Sequence, residues 1–271
     1  MSEKQSRVVL VTGAAGGIGR AITHALIADG HAVAAVDRDA AALERLKSSD
    51  RIHPFLIDLA SESACHEAVA SAVAYFGRLD AVVNNAGIGV SSLRPDGEAN
   101  LPRIEELTAE IWDRFFAINV RAPMLIVQAA LPHIRKGGFG RIINNTTSFR
   151  TMLRVLPYGA TKSALESMSA IWANELDPDG ITVNVLIPGG PTDTPFIADG
   201  AGWDRAKMLR PEIMGPPACW LISDDAANYT GQRIIAANWD ASLPPIQAAA
   251  KSGRAIGWPE LGADAVWLQA R

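Results

Sequence analysis

Two hydrophobic periods alternate along the chain. Short apolar runs rich in Val and Ile stand at residues 8–11, 32–36, 52–57, 81–83, 141–143, 181–187 and 233–236, the length and composition of strands buried on both faces. Between them apolar residues recur at helical spacing: Ile18, Ala21, Ile22, Ala25 and Leu26 form one stripe that stops before Gly30. A longer helical segment covers 111–134, and another begins near Tyr158 with Ala164, Leu165, Met168, Ile171, Trp172 and Leu176 on its apolar face. Alternating strand and helix predict one doubly wound parallel sheet of about seven strands, with right-handed crossovers and helices on both faces. Two stretches break the rhythm. Residues 90–103, with Pro, Gly and charged residues, read as a loop inserted in a domain spanning 1–240; residues 241–271, with Pro244, Pro245, Trp258 and Trp267, read as a C-terminal extension.

Composition narrows the partners. The chain has 271 residues, 48% hydrophobic and 20% charged, which suits one large domain with a substantial core. A net charge of -4 supplies no basic field for a phosphate backbone or an anionic bilayer, so a small molecule is the expected partner and nucleic acid and membrane are not. Cys65 and Cys219 lie outside metal-ligand spacing, so neither a metal site nor a disulfide framework is expected. The polar residues 1–7 lead into an apolar run too short for a signal-peptide core, and no later run reads as membrane-spanning; the expected location is the cytoplasm.

The chemistry begins after the first strand, at Thr12-Gly13-Ala14-Ala15-Gly16-Gly17-Ile18-Gly19. A strand-to-helix turn presents unpaired N–H groups and the positive end of a helix dipole, and glycines admit a pyrophosphate without a Cβ in the way. Gly13, Gly17 and Gly19 are assigned this role, with Ala15, Gly16 and Ile18 completing the loop. Asp37 ends the second strand 18 residues after Gly19, where a carboxylate accepts from adenosine ribose hydroxyls and repels a 2′-phosphate. This predicts NAD rather than NADP, although Arg38 beside it offsets part of the repulsion. Asp58, with Leu59, follows the third strand in the same register; Asp58 either meets the adenine amino group or caps the helix near Ser61. Asn84-Asn85-Ala86-Gly87 follows the fourth strand, a turn in which compact amides hold adjoining backbone and Gly87 leaves room for a cofactor.

Tyr158 and Lys162, four residues apart at the head of a helix, point the same way. A phenol titrating near 10 is a poor base at neutral pH, but an ammonium and a nicotinamide cation both favour the phenolate, making Tyr158 a usable general acid/base. Taken together, the glycine turn, Asp37, Asn85-Ala86-Gly87, Asn119, the hydroxyls Thr147 and Ser148, Tyr158 with Lys162, and Pro188-Gly189 resemble in order and spacing the short-chain dehydrogenase/reductase family over about residues 7–240. The resemblance implies a Rossmann-like α/β domain, a nicotinamide cofactor, and a hydride passed between it and a secondary alcohol or ketone of a small substrate. It further implies that Tyr158 moves the proton, that Lys162 binds the nicotinamide ribose, and that the main-chain carbonyl of Asn119 holds a relay water. Pro123 has no N–H to close the helical bond to that carbonyl. Long helices at 111–134 and 158–176 resemble those through which the family forms dimers and tetramers, and a homotetramer is expected.

Two departures stand out. Counting forward from Gly140 places the family's catalytic hydroxyl at Thr147, with Ser148 next, whereas counting back from Tyr158 gives Asn145; the intervening loop is about two residues short. Thr147 and Ser148 both remain candidates, Ser148 slightly preferred for its residue type. In Pro188-Gly189-Gly190-Pro191-Thr192-Asp193-Thr194, resembling the element that grips the carboxamide, Pro191 removes an N–H and the contact shifts to Thr192 or Thr194. The substrate pocket is expected from residues 149–156, the segment after Thr194, and 90–103. Arg150 and Arg154 either meet an acidic substrate or are solvated; Met152, Phe196, Trp203 and Met208 either wall the pocket or pack. The alternatives to an NAD-linked dehydrogenase are an NADPH-dependent 3-oxoacyl-thioester reductase, a non-redox enzyme, or a nucleotide-sensing protein on the same scaffold.

Overall fold

The computed structural model describes residues 5–46 and 50–262. Eight strands make one sheet: β1 Val8–Thr12, β2 Ala32–Asp37, β3 Ile52–Leu56, β4 Ala81–Asn84, β5 Gly140–Asn145, β6 Ile181–Ile187, β7 Gln232–Ile235 and β8 Gly253–Ala255. Their order is β3-β2-β1-β4-β5-β6-β7-β8. The first seven run parallel, and β8 is antiparallel to β7, with Arg254 opposite Arg233. This eighth strand exceeds the seven expected because Gly253-Arg254-Ala255 carries no apolar run; pairing with an existing edge makes it a strand.

The helices are α1 Gly17–Ala28, α2 Ala40–Leu46, α3 Glu62–Phe76, α4 Ala109–Phe116, α5 Ala122–Gly137, α6 Phe149–Met152, α7 Tyr158–Glu175, α8 Gly215–Ile222, α9 Pro245–Ser252 and α10 Pro259–Gly262. Side-chain alternation sorts β1 onto two cores. Val8 and Leu10 pack with Val69 of α3, Ile126 and Ile134 of α5 and Ala173 of α7. Val9 and Val11 pack with Ile22 and Leu26 of α1, Trp220 and Leu221 of α8 and Ala249 of α9. Part of the C-terminal stretch is thus built onto the sheet through α9 and β8, while Trp267 lies outside the described residues.

A π turn, Ala117–Arg121, joins α4 to α5, and the N–H of Ala122 reaches back to the carbonyl of Ala117. Pro123 follows at once, a missing donor beside a widened turn. The continuous helix Ala109–Gly137 is long and apolar enough, by length and composition alone, to cross a bilayer. This corrects the expectation that no segment approaches such a span. Leu125, Ile126 and Ile134 lie in the protein core, and half of its most apolar window is buried there, which is how a core helix passes the same test.

The chain runs from β1 outward to β3 and then crosses to β4 on the other side of β1. That reversal opens a crevice at the carboxyl ends of the strands, where open α/β sheets bind ligands.

Candidate active site

A cleft of about 910 Å³ follows this crevice, lined by the loops after β1, β2, β3, β4, β5 and β6. Its floor is a backbone cradle. Gly13 adopts φ +60, a conformation that favours glycine. Thr12 Oγ1 accepts from the N–H groups of Asn85 and Ala86, both at 3.0 Å, and Asn85 Nδ2 donates to the carbonyls of Thr12 (3.0 Å) and Gly13 (3.1 Å). A Cβ on Gly19 would stand 1.9 Å from the Gly13 oxygen, and one on Gly17 would stand 2.3 Å from the Thr194 methyl. Gly16 has no side chain to cap α1, so the first-turn N–H groups are left for a ligand.

Gly16, Ile18, Asp37, Arg38, Asp58, Leu59, Ala86, Gly87, Pro188, Gly189 and Thr192 also line the cleft. Ala15 does not: its N–H donates to Asp37 Oδ2 at 3.0 Å. The other Asp37 oxygen accepts from Arg38 N (2.8 Å) and Asp39 N (3.1 Å). Asp37 therefore ties the glycine loop to β2 while lining the cleft. Asp58 Oδ1 accepts from Ala60 N, and the cap of α3 is Ser61, whose Oγ accepts from Ala64 N; this overturns the helix-cap alternative for Asp58. The main chain after Pro191 is pinned by Leu209, which donates to Pro191 O and accepts from Asp193 N, both at 2.9 Å. Thr192 Oγ1 donates to Gly190 O. A dinucleotide fits this cradle, because its glycines leave space where a Cβ would stand and the start of α1 beside it carries no side-chain cap.

At the far end, one face of α7 zips onto the end of β5. Thr147 lies beside Tyr158 in the cleft lining, close enough for its hydroxyl to favour the phenolate. Lys162 Nζ donates to Asn145 O at 2.7 Å, Glu166 Oε2 accepts from Thr146 Oγ1 at 2.7 Å, and Ser169 Oγ accepts from Asn144 Nδ2 at 2.8 Å. The spacing 158, 162, 166, 169 is the i, i+4, i+3 recurrence of one helical face. Burial pushes the Tyr158 phenol well above its ordinary range, the Thr147 hydroxyl pulling the other way. Burial lowers the Lys162 ammonium to about 8.

Thr147 and Ser148 both line the cleft, but they stand in different surroundings. Ser148 caps α6, its Oγ 2.8 Å from Thr151 Oγ1 and accepting from Thr151 N at 3.2 Å. Asn119 is buried and lies outside the cleft lining: its Oδ1 accepts from Ile88 N (2.9 Å), and its Nδ2 donates to Ile88 O and Thr161 Oγ1 (both 3.0 Å). Only its main chain is left for a relay. The Phe196 ring is tilted against that of Tyr158, their centroids 5.6 Å apart, and Trp203, Arg150 and Arg154 line the same end. Met152 is core-packed, and neither it nor Met208 lines the cleft.

Sequence reasoning passed over Ser91, Glu98, Glu166 and Arg233. Glu98 and Ser91 line the cleft; Ser91 Oγ stands 2.6 Å from each Glu98 carboxylate oxygen and accepts from Ala198 N at 3.1 Å. The inserted loop and the segment after β6 are thereby locked together, a contact with no signature in the local pattern.

A family model described as short chain dehydrogenase matches residues 7–202. The chain belongs to the short-chain dehydrogenase family. It is an NAD(P)-dependent oxidoreductase acting on CH–OH groups. This dehydrogenase is 33% identical to an uncharacterized oxidoreductase of Methylorubrum extorquens, over 87% of the chain and 98% of the relative. It is 32% identical to the D-threitol dehydrogenase of Mycolicibacterium smegmatis, over 84% and 90%. Among solved structures, the 3-ketoacyl-(acyl-carrier-protein) reductase of Brucella melitensis complexed with NADH superimposes with a TM-score of 0.72 at 29% identity, covering 83% of this chain and 94% of that one.

Proposed function

We propose that this dehydrogenase uses NAD and interconverts a secondary alcohol and its ketone on a small polyhydroxylated substrate. The observation that carries this is the Tyr158 phenol at the end of the cleft, beside Thr147 and one helical turn ahead of Lys162. Bound nicotinamide supplies the hydride acceptor or donor. The Thr147 hydroxyl donates to the substrate oxygen, and Tyr158 moves the proton of that oxygen. In reduction, the buried phenol is held protonated and serves as the acid. In oxidation, the Lys162 cation favours the phenolate that accepts the hydroxyl proton. The main-chain carbonyl of Asn119, inside the π turn, holds a water on the proton's way out. Gly13, Gly16, Gly17, Ile18 and Gly19 receive the pyrophosphate, Asp37 the ribose hydroxyls, and Thr192 and Thr194 the carboxamide. Asp37 favours NAD because a 2′-phosphate beside its carboxylate is repelled. The similarity to a D-threitol dehydrogenase, with Glu98 and Ser91 as hydroxyl partners in the pocket, supports a polyol. Assembly through α5 and α7 belongs to the same reading, since Met124 and Ile171 are exposed there.

The test is an absorbance screen of NAD and NADP against tetritols, pentitols, hexoses and hydroxy acids, run in reverse with NADH or NADPH and acetoacetyl-coenzyme A, with Tyr158→Phe as the blank. Reduced NAD formed from polyols by the unmutated protein alone is expected. Turnover confined to NADPH and the thioester would replace this reading with the reductase.

A further inference from the structure

β5 ends its ladder at Asn145, paired with Leu186 of β6. Thr146 and Thr147 lie past that last pair, so no sheet hydrogen bond holds them, and the stretch from there to Tyr158 is short. The side chains that do hold them come from behind the cleft. Glu166 is fully buried on α7; its Oε2 takes the Thr146 hydroxyl at 2.7 Å, and its Oε1 takes Arg233 Nε at 3.1 Å. Arg233 Nη2 then donates to the main-chain carbonyl of Thr147. Arg233 stands on β7 between Gln232 and Ile234, whose side chain faces the opposite core.

We propose that Glu166 and Arg233 are a positioning pair that sets the Thr147 hydroxyl against the Tyr158 phenol. The inference rests on the reading of Thr147 as the hydroxyl donor beside Tyr158. The pair reaches Thr147 through its carbonyl and Thr146 through its side chain, fixing both residues that the ladder leaves loose. An ion pair this deep is a poor device for stability alone, because desolvating both charges offsets most of their attraction, and an apolar pair of similar volume serves a core as well. What the charges add here is direction. A carboxylate with two oxygens and a guanidinium with a rigid fork fix two neighbouring residues at once. Burial raises the Glu166 carboxyl against the opposing pull of Arg233 and Thr146, so the pair is most complete when Glu166 is ionised.

The experiment is a double-mutant cycle between Thr147→Val and the joint variant Glu166→Gln/Arg233→Met. Both charges are removed together so that neither is left buried alone and the fold is kept. Cofactor-free crystal structures, NADH affinity by fluorescence, and kcat and KM on a substrate from the polyol panel are the readouts. In the joint variant the Thr147 hydroxyl should have withdrawn from the phenol, NADH affinity should be unchanged, and kcat should fall by up to about 100-fold with little change in KM. Arg233→Lys should recover part of kcat. On the Thr147→Val background, removal of the pair should cost nothing further. The inference is overturned if Thr147 stays against the phenol without the pair, or if the two losses multiply. Full kcat in Thr147→Val would instead remove the donor role of Thr147, and the inference with it. A slow Thr147→Val beside an unimpaired joint variant would leave that role standing and remove only the pair's.

Discussion

The two ends of the cleft are built differently. The cofactor end is made of backbone: a glycine turn at φ +60, a helix start without a side-chain cap, and amide and hydroxyl groups spent on main-chain partners across β1 and β4. The catalytic end is made of side chains recruited from distant segments. Asn119 clamps Ile88 and Thr161, Ser91 bridges Glu98 to Ala198, Arg205 gathers Asp193, Asp199 and Ile197, and Arg233 reaches Thr147. A backbone cradle tolerates almost any neighbouring chemistry and no added volume. A side-chain cluster tolerates volume better and fails when one partner changes. The first suits a constant ligand, the second a pocket that must be tuned to a substrate.

Substitutions that separate the two ends break or sharpen this contrast. Tyr158→Phe should give the largest effect, a fall in kcat of about three orders of magnitude with NADH affinity intact; a parallel loss of affinity would mean the ends are not separable. Gly19→Ala should do the reverse. Its Cβ would stand 1.9 Å from the Gly13 carbonyl, and overpacking of about 1–3 kcal/mol should appear as NADH binding weakened roughly 10- to 100-fold by fluorescence titration. Gly137→Ala, away from the cleft, is the control, since its Cβ comes no nearer than 3.8 Å to Asp80.

Lys162→Met should inactivate the enzyme yet stabilise it at neutral pH, by about 1–3 kcal/mol in chemical denaturation. The sign follows from the lowered ammonium. Between about 8 in the folded state and the ordinary lysine range when unfolded, the unfolded chain binds more protons, so stability contributed by this position rises with pH. The advantage of Met should therefore shrink above pH 8, and an advantage flat in pH would contradict the burial argument. Asp37→Ala should weaken NADH about 10-fold and leave NADPH unchanged or tighter; equal losses would mean that Asp37 acts only through the Ala15 loop bond. Arg205→Ala should have the smallest effect, a modest rise in substrate KM with NADH affinity unchanged, read by initial rates.

Much of the cleft lining was legible because its signals are local. A glycine turn directly after a strand, an acid at the end of the next strand, and a tyrosine and lysine one turn apart are each read within a few residues. The hydroxyl was not. Thr147 and Ser148 are adjacent and chemically alike, and only the start of α6 commits Ser148 to a cap and leaves Thr147 for Tyr158. Nor was β8, whose three residues have no strand pattern until β7 offers an edge.

Sequence alone determined the alternation of elements, the parallel sheet and the side chains able to do the chemistry, because periodicity and residue type are properties of short windows. Tertiary structure alone decided that Ser148 caps α6, that Glu98 lines the pocket, and that Arg233, 67 positions from Glu166 and 86 from Thr147, joins that glutamate in holding the chain past β5. Those outcomes depend on where distant segments meet, and a side chain's role there is set by the partner it finds rather than by its neighbours in the chain.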